Sequence, residues 1–389
     1  MMEEEFRVSL DTIPTEVFLY ICSFIDAKQV ADCLRYVCTR FYEVLSSESA
    51  WKCRLKETCP NMLPAVDYID DEPDWLELCY QIESELQLWK RERDKMRYCY
   101  WGVDSCIDAV KLIDGGKRVV SGSRNRELKV WSIDAAPKCE KSILSAHTGW
   151  IWDLAVDNKN IYSCSWDSYI KRWDPDCNFA EVDSYKCSAA VLSIVCRDGL
   201  LVGGLFKPEV VAFDPRQNGP IFSYTPHRRS ITGLALVGEN YLVSVSEDKS
   251  IAVWDLRTRE KVTENIEVSC DNSIPISIFY NNNLLYIGDT RANMHIISNN
   301  NGVFEKKVTC HLESEGQNRL TSIWHGLGCI IVGSTDKSVK IFQPTQPLNL
   351  ICELNVKGEV TSIDYDSSAL AVGSSTSLEV WDIKNNFLI

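Results

Sequence analysis

One stretch of the chain contains the side chains that could move a proton. His147, Ser163 and Asp167 follow one another there, and a Ser-His-Asp set activates a serine hydroxyl in many acyl-transfer enzymes. The same order returns later in the chain, in His227, Ser244 and Asp248. In both sets the Asp lies at the same distance before a Trp. This shared order favours a repeated structural network over a catalytic triad.

The surrounding pattern predicts how such a network would form. Short apolar runs typical of β-strands are separated by turn residues, and Trp173 and Trp254 close the two sets. Asp167 in the second turn would accept a hydrogen bond from His147. The His ring would bond Ser163, which would reach the indole N–H of Trp173. These bonds would satisfy polar groups that are costly to bury unpaired.

The Trp position recurs along most of the chain, at Trp131, Trp173, Phe213, Trp254, Ile297, Phe342 and Trp381. The period is about 40–45 residues, and the pattern resembles the WD40 repeat, one four-stranded blade of a β-propeller. Seven repeats therefore predict a mainly β fold with seven blades. Repeats two and four keep the whole polar set, whereas repeat five, residues 284–297, keeps only the strand pattern. Degenerate repeats are expected because neighbouring blades also hold each blade in place.

The propeller, residues 96–389, needs a strand from elsewhere to close. Residues 382–389 after the last Trp are too few for a turn and a full outer strand, and an unpaired edge strand invites aggregation. The β-prone residues 97–101 precede the first complete repeat. We expect them to supply the outer strand of the seventh blade.

Residues 1–60 have helical periodicity instead. Helices are predicted after Pro14, after Asp26 with Gln29 as a capping-box partner, over residues 36–45, and over residues 49–55. A segment of this size is small for an independent core, so a partner is expected to cover its apolar surface.

This segment resembles the F-box in residues 13–16, 21–26, 37–41 and 51–52. Ile13 and Phe24 replace other apolar residues of the motif, and Thr39 replaces its usual basic residue. In the F-box family this module docks onto a Skp adaptor, which joins a cullin scaffold. The resemblance implies adaptor contacts through Ile13, Pro14, Glu16, Val17, Phe24, Val37, Cys38, Phe41 and Trp51. A generic three-helix packing domain is the alternative.

Residues 61–95 connect the two regions. Their first part contains several acidic residues, read as a solvated linker rather than a docking site: Asp67, Asp70, Asp71, Glu72 and Asp74. A helix of about 30 Å is predicted over residues 74–93. Its apolar stripe consists of Trp75, Leu78, Cys79, Ile82, Leu86 and Trp89. The stripe could pair with another chain, but we favour packing against the F-box and propeller, as a spacer that sets their orientation.

The resemblance also places a target-binding face on the propeller, where the loops before the first strands and the turns after the second strands converge. The candidates there are Arg124, Arg126, Trp150, Trp152, Trp166, Phe206, Lys207, Arg228, Arg229, Glu247 and Arg291. Trp and Arg are enriched at binding hot spots, and Arg pairs well with carboxylates and phosphates. Alternatively, Trp150 and Trp152 only pack between blades and the basic residues are solvated.

Composition limits the partners and the chemistry. The net charge of −14 over 389 residues argues against nucleic acid and anionic membranes as partners. The 17 Cys are scattered without CxxC spacing, which favours free thiols in a reducing, intracellular compartment, cytoplasmic or nuclear. No apolar run reaches the length of a membrane span. With five His, no phosphate loop and no metal motif, we expect no cofactor and no metal.

The whole arrangement resembles the F-box/WD40-repeat proteins, substrate receptors of Skp–cullin–F-box ubiquitin ligases. This resemblance implies a chain without a catalytic site. It would bind the adaptor and cullin through the F-box, and a protein target on the propeller. Its physical contribution is a raised effective concentration of the target near the conjugating enzyme. A non-ligase scaffold for protein assembly is the alternative.

Overall fold

The computed structural model describes residues 13–62, 74–92, 95–133, 137–157, 160–217, 219–262, 266–268, 272–300, 302–312, 318–366 and 369–382. The predicted acidic residues of the linker, apart from Asp74, lie outside this description. The chain divides into two compact units. The first contains the described part of 13–92 together with Gly326–Ile330 and Phe342–Cys352. The second contains the rest.

The first unit is built from helices. They are α1 Thr15–Cys22, α2 Ala27–Asp32, α3 Thr39–Leu45, α4 Glu48–Thr58 and α5 Trp75–Gln87. A 3-10 turn, Leu34–Tyr36, separates α2 from α3, and a π-helical turn, Leu88–Glu92, follows α5. The third helix therefore begins later than predicted, with Cys38 as its N-cap.

The predicted capping box at the start of α2 is wrong. Asp26 is the N-cap residue, but its side chain does not cap the helix. It accepts instead from the amide of Gln87. The free N–H of Ala27 donates to Glu83, 3.1 Å away on α5. A residue distant in sequence thus provides the cap that a local pattern predicted.

The apolar stripe of α5 completes the core of this unit. Phe18 and Phe41 stack at 4.3 Å between ring centroids, and Trp51 packs into the same core. The buried stripe residues are Trp75, Leu78, Cys79, Ile82 and Leu86. Leu327 and Ile351 also pack against this core. The core of this helical unit is therefore completed by residues from elsewhere in the chain.

A buried ion pair joins four of these helices. Arg54 on α4 contacts both carboxylate oxygens of Glu83, at 2.5 and 2.7 Å, and both side chains are almost fully buried. The same guanidinium donates to the carbonyls of Cys22 and Ile25, at 2.7 and 2.6 Å. Because burial of charges is costly, such a pair persists only when its remaining donors and acceptors are satisfied. Here it ties the end of α1 to the start of α2.

The strands of the described residues form seven antiparallel sheets, the blades of a propeller. The first strand in the chain is β1 Arg97–Gly102. Blade one contains β2 Ile107–Ile113, β3 Arg118–Ser123, β4 Leu128–Ser132 and β5 Lys138–Ile143. Blade two contains β6 Ile151–Asp157, β7 Asn160–Ser165, β8 Tyr169–Asp174 and β9 Ala180–Lys186. Blade three contains β10 Val191–Arg197, β11 Leu200–Leu205, β12 Val210–Phe213 and β13 Pro220–Tyr224.

The other four blades follow the same order. Blade four contains β14 Ile231–Val237, β15 Tyr241–Ser246, β16 Ser250–Asp255, β17 Glu260–Lys261 and β18 Ile266–Glu267. Blade five contains β19 Pro275–Asn281, β20 Leu284–Asp289, β21 Asn293–Asn300 and β22 Val303–His311. Blade six contains β23 Leu320–His325, β24 Ile330–Ser334, β25 Ser338–Gln343 and β26 Asn349–Asn355. Blade seven contains β27 Val360–Asp366, β28 Ala369–Ser374 and β29 Ser377–Asp382.

The fourth strand of blade seven is β1. It pairs antiparallel with β29 along its whole length, from Arg97 opposite Asp382 to Gly102 opposite Ser377. Cys99 points into the core that blades seven and one share. The outer strand of the last blade thus comes from the chain before the first repeat.

Aromatic rings connect successive blades. Trp101 on β1 lies 5.4 Å from Trp131 of blade one, measured between ring centroids. Tyr185 on the outer strand of blade two lies 5.3 Å from Phe213 of blade three. In both pairs an outer strand packs on the recurring Trp position of the next blade. This contact explains why that position is large and apolar in most repeats.

We predict that the closing strand contributes directly to stability. Cys99→Asn buries an amide where an apolar thiol packs and should lower the free energy of unfolding by about 2 kcal/mol. The matched change Tyr100→Asn, at a half-exposed neighbour in the same strand, should cost less than about 1 kcal/mol. Urea unfolding of the two variants measures the difference. Equal stabilities would contradict the role given to β1.

Candidate functional site

The polar set of blade two forms a continuous network. His147 Nδ1 lies 2.9 Å from an Asp167 carboxylate oxygen, and His147 Nε2 lies 2.7 Å from the Ser163 hydroxyl. The indole N–H of Trp173 donates to the same hydroxyl at 2.8 Å. His147 and Ser163 are both buried, so a substrate could not reach them. The set is therefore placed to hold strands together inside the blade.

Asp167 is held in its charged form. Burial disfavours that form, but hydrogen bonds from His147 and from the backbone N–H groups of Thr148 and Tyr169 outweigh it, and they lower the pKa of Asp167 to about 2. The carboxylate thus ties the loop before β6 to the turn after β7.

The prediction that blade four repeats the whole network is wrong in one link. His227 contacts Asp248 at 3.1 Å and Ser244 at 2.9 Å. The indole N–H of Trp254, however, has no hydrogen-bond partner among the described residues. Its ring instead stacks on Tyr224 of the preceding outer strand, with 3.9 Å between centroids.

Two other blades contain polar contacts that the sequence did not predict. In blade one the indole N–H of Trp131 donates to Ser121 at 2.8 Å, which repeats one link of the network. In blade five Asp289 lies 3.2 Å from His295 Nε2. Burial disfavours the charged form of Asp289, but hydrogen bonds from His295, Ser273 and Asn293 hold its pKa well below the usual range. This pair differs from the repeat network, because Asp289 ends the second strand of the blade and His295 lies on the third.

One backbone hydrogen bond recurs in every blade and defines one end of the propeller. The residue after the second strand donates its N–H to the carbonyl just before the first strand. Across the described residues, the seven bonds run from Arg124 to Cys106, Trp166 to Trp150, Phe206 to Ala190, Glu247 to Ser230, Thr290 to Ile274, Thr335 to Arg319 and Ser375 to Glu359. These seven donor positions are therefore equivalent, although their side chains differ widely.

A bulge in the first strand of a blade turns one side chain towards the central channel of the propeller. In six of the described sheets, the second residue of that strand is the extra residue, and bulges re-aim side chains. These residues line a channel with a volume of about 610 Å³: Asp108, Trp152, Leu192, Thr232, Ile276 and Thr361.

Three charged residues of the channel wall, Lys111, Asp153 and Asp364, join neighbouring blades. Lys111 of blade one pairs with Asp364 of blade seven at 3.1 Å, and Asp364 also accepts the N–H of Leu112. Asp153 of blade two accepts the N–H of Ile194 of blade three at 2.9 Å. Burial raises the pKa of Asp153. These three groups have partners within the propeller, and their contacts hold neighbouring blades together at the channel wall.

Blades two and three build an aromatic surface at the defined end. Trp166 lies at its centre, with ring centroids 6.2 Å from Trp150, 5.8 Å from Trp152 and 5.3 Å from Phe206. Trp150, Trp166 and Phe206 are 45%, 38% and 52% exposed, whereas Trp152 is half-buried and packs on the core between the two blades. We call these four residues the aromatic cluster. The proposed alternative, packing between blades, thus describes Trp152 alone.

Arg124 supports this cluster from blade one. Its guanidinium lies 5.2 Å from the ring centroid of Trp150 and 5.8 Å from that of Trp152. It also makes three hydrogen bonds of 2.9–3.2 Å with the carboxylate of Asp108. These contacts raise the pKa of Arg124 and fix the side chain. Sequence reasoning missed Asp108, since no local pattern links a strand bulge to a distant turn.

The remaining candidates lie on three sets of loops. Arg126 and Lys207 are exposed in the turns that also carry Arg124 and Phe206. Arg228, Arg229 and Glu247 belong to blade four, and Arg291 follows the second strand of blade five. Of these, Lys207 alone adjoins a residue of the aromatic cluster in sequence, and Arg126 lies two residues after Arg124.

The predicted adaptor-binding residues separate into two groups. Phe24 and Val37 are 75% and 66% exposed, and Pro14, Glu16 and Val17 are also exposed. The others serve the core or its edge: Ile13, Cys38, Phe41 and Trp51. Phe41 and Trp51 are each 3% exposed, and the Trp51 indole donates to the carbonyl of Leu45 at 2.7 Å.

Sequence reasoning missed four exposed apolar side chains in this unit. Tyr20 and Ile21 share the solvent-facing side of α1 with Val17, whereas Phe18 and Cys22 face the core. Tyr36 and Tyr42 are the other two. The helical spacing of Val17, Tyr20, Ile21 and Phe24 was the available signal, but it resembles a core stripe.

Comparisons with known proteins agree with this architecture. A family profile described as F-box-like matches residues 10–57, and the profile of the WD domain, G-beta repeat, matches residues 138–174 and 218–255. F-box/WD repeat-containing protein 9 of Bos taurus is 28% identical over 386 residues, which cover 96% of this chain and 82% of the relative. The chain thus combines an F-box-like segment with WD40 repeats, the two modules of the F-box/WD-repeat proteins that it resembles.

Other F-box/WD-repeat relatives extend over the same range. F-box/WD repeat-containing protein mec-15 of Caenorhabditis elegans is 23% identical over 395 residues, covering 95% of this chain and 94% of the relative. The solved structure of U3-55K covers 74% of this chain with a TM-score of 0.62 at 13% identity, a likeness of fold alone.

The described part of the chain contains no cluster of three or more His, Cys, Asp or Glu arranged to hold a metal ion. Within the same residues, no helix combines the length and hydropathy needed to span a membrane. F-box modules and WD40 propellers are typically scaffolds or adaptors without catalysis of their own.

The network of blade two should contribute more to stability than the single bond of blade one. Ser163→Ala removes a partner from both His147 and Trp173, whereas Ser121→Ala removes one only from Trp131. Each buried group left unsatisfied costs about 1–3 kcal/mol, so Ser163→Ala should lower the free energy of unfolding more. Urea unfolding of both variants measures this order, and the reverse order would contradict the assignment.

Asp167 should make stability depend on pH. Its pKa is lowered by folding to about 2, from about 4 in an unfolded chain, so its contribution is complete above pH 5 and is lost as the pH falls towards 2. The melting temperature of wild type should therefore exceed that of Asp167→Asn most at neutral pH. The difference should shrink below about pH 4. A difference that stays constant down to pH 2.5 would show that the carboxylate charge does not contribute.

Proposed function

We propose that this chain is the substrate-recognition subunit of a Skp–cullin–F-box ubiquitin ligase. In this proposal residues 1–60 bind the adaptor, residues 61–95 connect, and the propeller of residues 96–389 binds the target. The observation that carries it is the exposed apolar side of α1, on a helical unit whose own core is already complete.

The burial pattern supports a docking role for that surface. Val17, Tyr20 and Ile21 lie on one side of α1 and Phe24 lies in the turn that follows it; each of the four is more than one-third exposed. Contiguous exposed apolar surface is uncommon in proteins without a partner and marks interaction sites. The F-box-like match spans this helix, and an adaptor of the Skp class is the partner that this family implies.

The proposed contribution of the chain is to hold a target in place. A bound target would experience a high effective concentration of the conjugating enzyme at the far end of the cullin, without any chemistry on the propeller. The buried His147 and Ser163 support this non-catalytic role. We place this activity inside the cell, where free thiols are stable.

The adaptor-binding proposal has a direct test. Phe24→Ser combined with Val37→Ser removes two exposed apolar side chains and should abolish co-purification of the Skp adaptor and cullin. The melting temperature should change by less than about 2 °C because neither side chain is part of the core.

The matched control is Leu144→Ser, which changes an exposed apolar side chain of the propeller. It should leave adaptor recovery unchanged. Full adaptor recovery with the double variant would refute this surface as the contact. Adaptor recovery by wild type without any cullin would favour the non-ligase scaffold.

A further inference from the structure

We infer that the aromatic cluster is the target-reading site, and that it binds a linear segment in which an aliphatic side chain is flanked by acidic residues. This inference rests on the proposed function and adds the location and the ligand class. It also assigns Arg124 and Asp108 as positioning residues, which act through the aromatic rings.

The cluster is not required by the fold. At the position of Trp166 and Phe206, blades five to seven carry Thr290, Thr335 and Ser375, joined by the same backbone hydrogen bond. Large aromatic side chains are therefore placed where small polar ones suffice. Their exposed rings come from two blades and form one surface, the arrangement typical of a binding hot spot.

The surface is held in position before any ligand arrives. Trp150 and Trp152 both contact the guanidinium of Arg124, which Asp108 fixes through three hydrogen bonds. Trp166 in turn packs on both of these rings and on Phe206. Fixing side chains in advance reduces the ordering that binding must supply. An aliphatic side chain can enter such a rigid aromatic surface without rearrangement.

Charge decides between the ligands that aromatic rings attract. Tryptophan rings also bind cations, but Arg126 and Lys207 would repel a cationic ligand here. Among the described residues, neither Arg126 nor Lys207 forms an ion pair with a carboxylate, so both remain available to an acidic segment. The net charge of the chain is −14, which makes this local positive charge more distinctive.

The same charges favour carboxylates over a phosphate group. Phosphate recognition usually gathers several arginine forks around one group. The fork of Arg124 is already occupied by Asp108, and the two available cations lie on the turns of different blades. Two separate positive charges fit acidic residues on both sides of an aliphatic one.

The test is a selection from a random peptide library displayed on phage, using the full-length protein. Wild type should enrich sequences with Leu, Ile, Val or Pro flanked by Asp or Glu. A selected peptide, resynthesised with a fluorescent label, should bind Trp166→Ser with Phe206→Ser at least tenfold more weakly. The matched control Tyr100→Ser, an exposed aromatic on β1, should bind it as wild type does.

Charge reversal tests the flanking residues. Arg126→Glu with Lys207→Glu should enrich Lys and Arg beside the aliphatic residue. For the positioning pair, Asp108→Asn should weaken the selected peptide and reduce the near-ultraviolet circular dichroism of the tryptophans. Arg124→Lys should restore part of the binding that Arg124→Ala loses, because a cation then remains over the rings.

Several outcomes would overturn the inference. They are no enrichment, enrichment of basic residues by wild type, binding unaffected by the aromatic changes, or at least tenfold tighter binding when phosphoserine replaces the acidic residue. Adaptor binding is measured on the same preparations. Loss of adaptor binding in wild type would refute the proposed function, whereas normal adaptor binding with any of these outcomes would refute only this inference.

Discussion

The propeller depends on closing its last blade with a strand from the other end of the repeats. An open sheet edge exposes backbone donors and acceptors, so a ring of blades is stable only when every blade has its outer strand. β1 provides that strand through six residue pairs with β29. Trp101 on the same strand packs on Trp131 of the first blade. β1 is therefore hydrogen-bonded to blade seven, and it is joined to blade one by the chain itself and by this packing.

A second constraint acts where the blades meet around the channel. Thr232, Thr321 and Thr361, each the second residue of a first strand, donate to backbone carbonyls of the next blade. Blades one, two, three and five carry Asp108, Trp152, Leu192 and Ile276 at this position instead. Asp108 belongs to the Arg124 support and Trp152 to the aromatic cluster. The proposed target-reading site therefore uses two of the four positions at which the threonine link is missing.

The features that the sequence predicted are those that depend on local patterns. The recurring Trp position, the network of blade two and the strand after residue 96 are all visible as short motifs with a fixed order. Closure required only the rule that a sheet edge must be paired. The helical N-terminal region was likewise predicted from periodicity.

The remaining features depend on contacts between distant residues. Arg54 and Glu83 come into contact only when four helices have packed together. No local sequence pattern therefore predicts that Glu83 caps the start of α2. Phe41 and Trp51 belong to a motif whose apolar residues either pack in the core or contact a partner. Only the buried positions of the two side chains in the structure show that they pack in the core. Trp254 looks like a network residue until Tyr224 of the preceding blade stacks on it.

We propose above all that this 44.2 kDa chain binds a Skp adaptor. Size-exclusion chromatography with light scattering tests this proposal most directly, using the purified chain with purified Skp adaptor and cullin at micromolar concentration. We expect a single species with the mass of one copy of each protein. A chain that elutes alone at its own mass, with the adaptor and cullin eluting together, would contradict it.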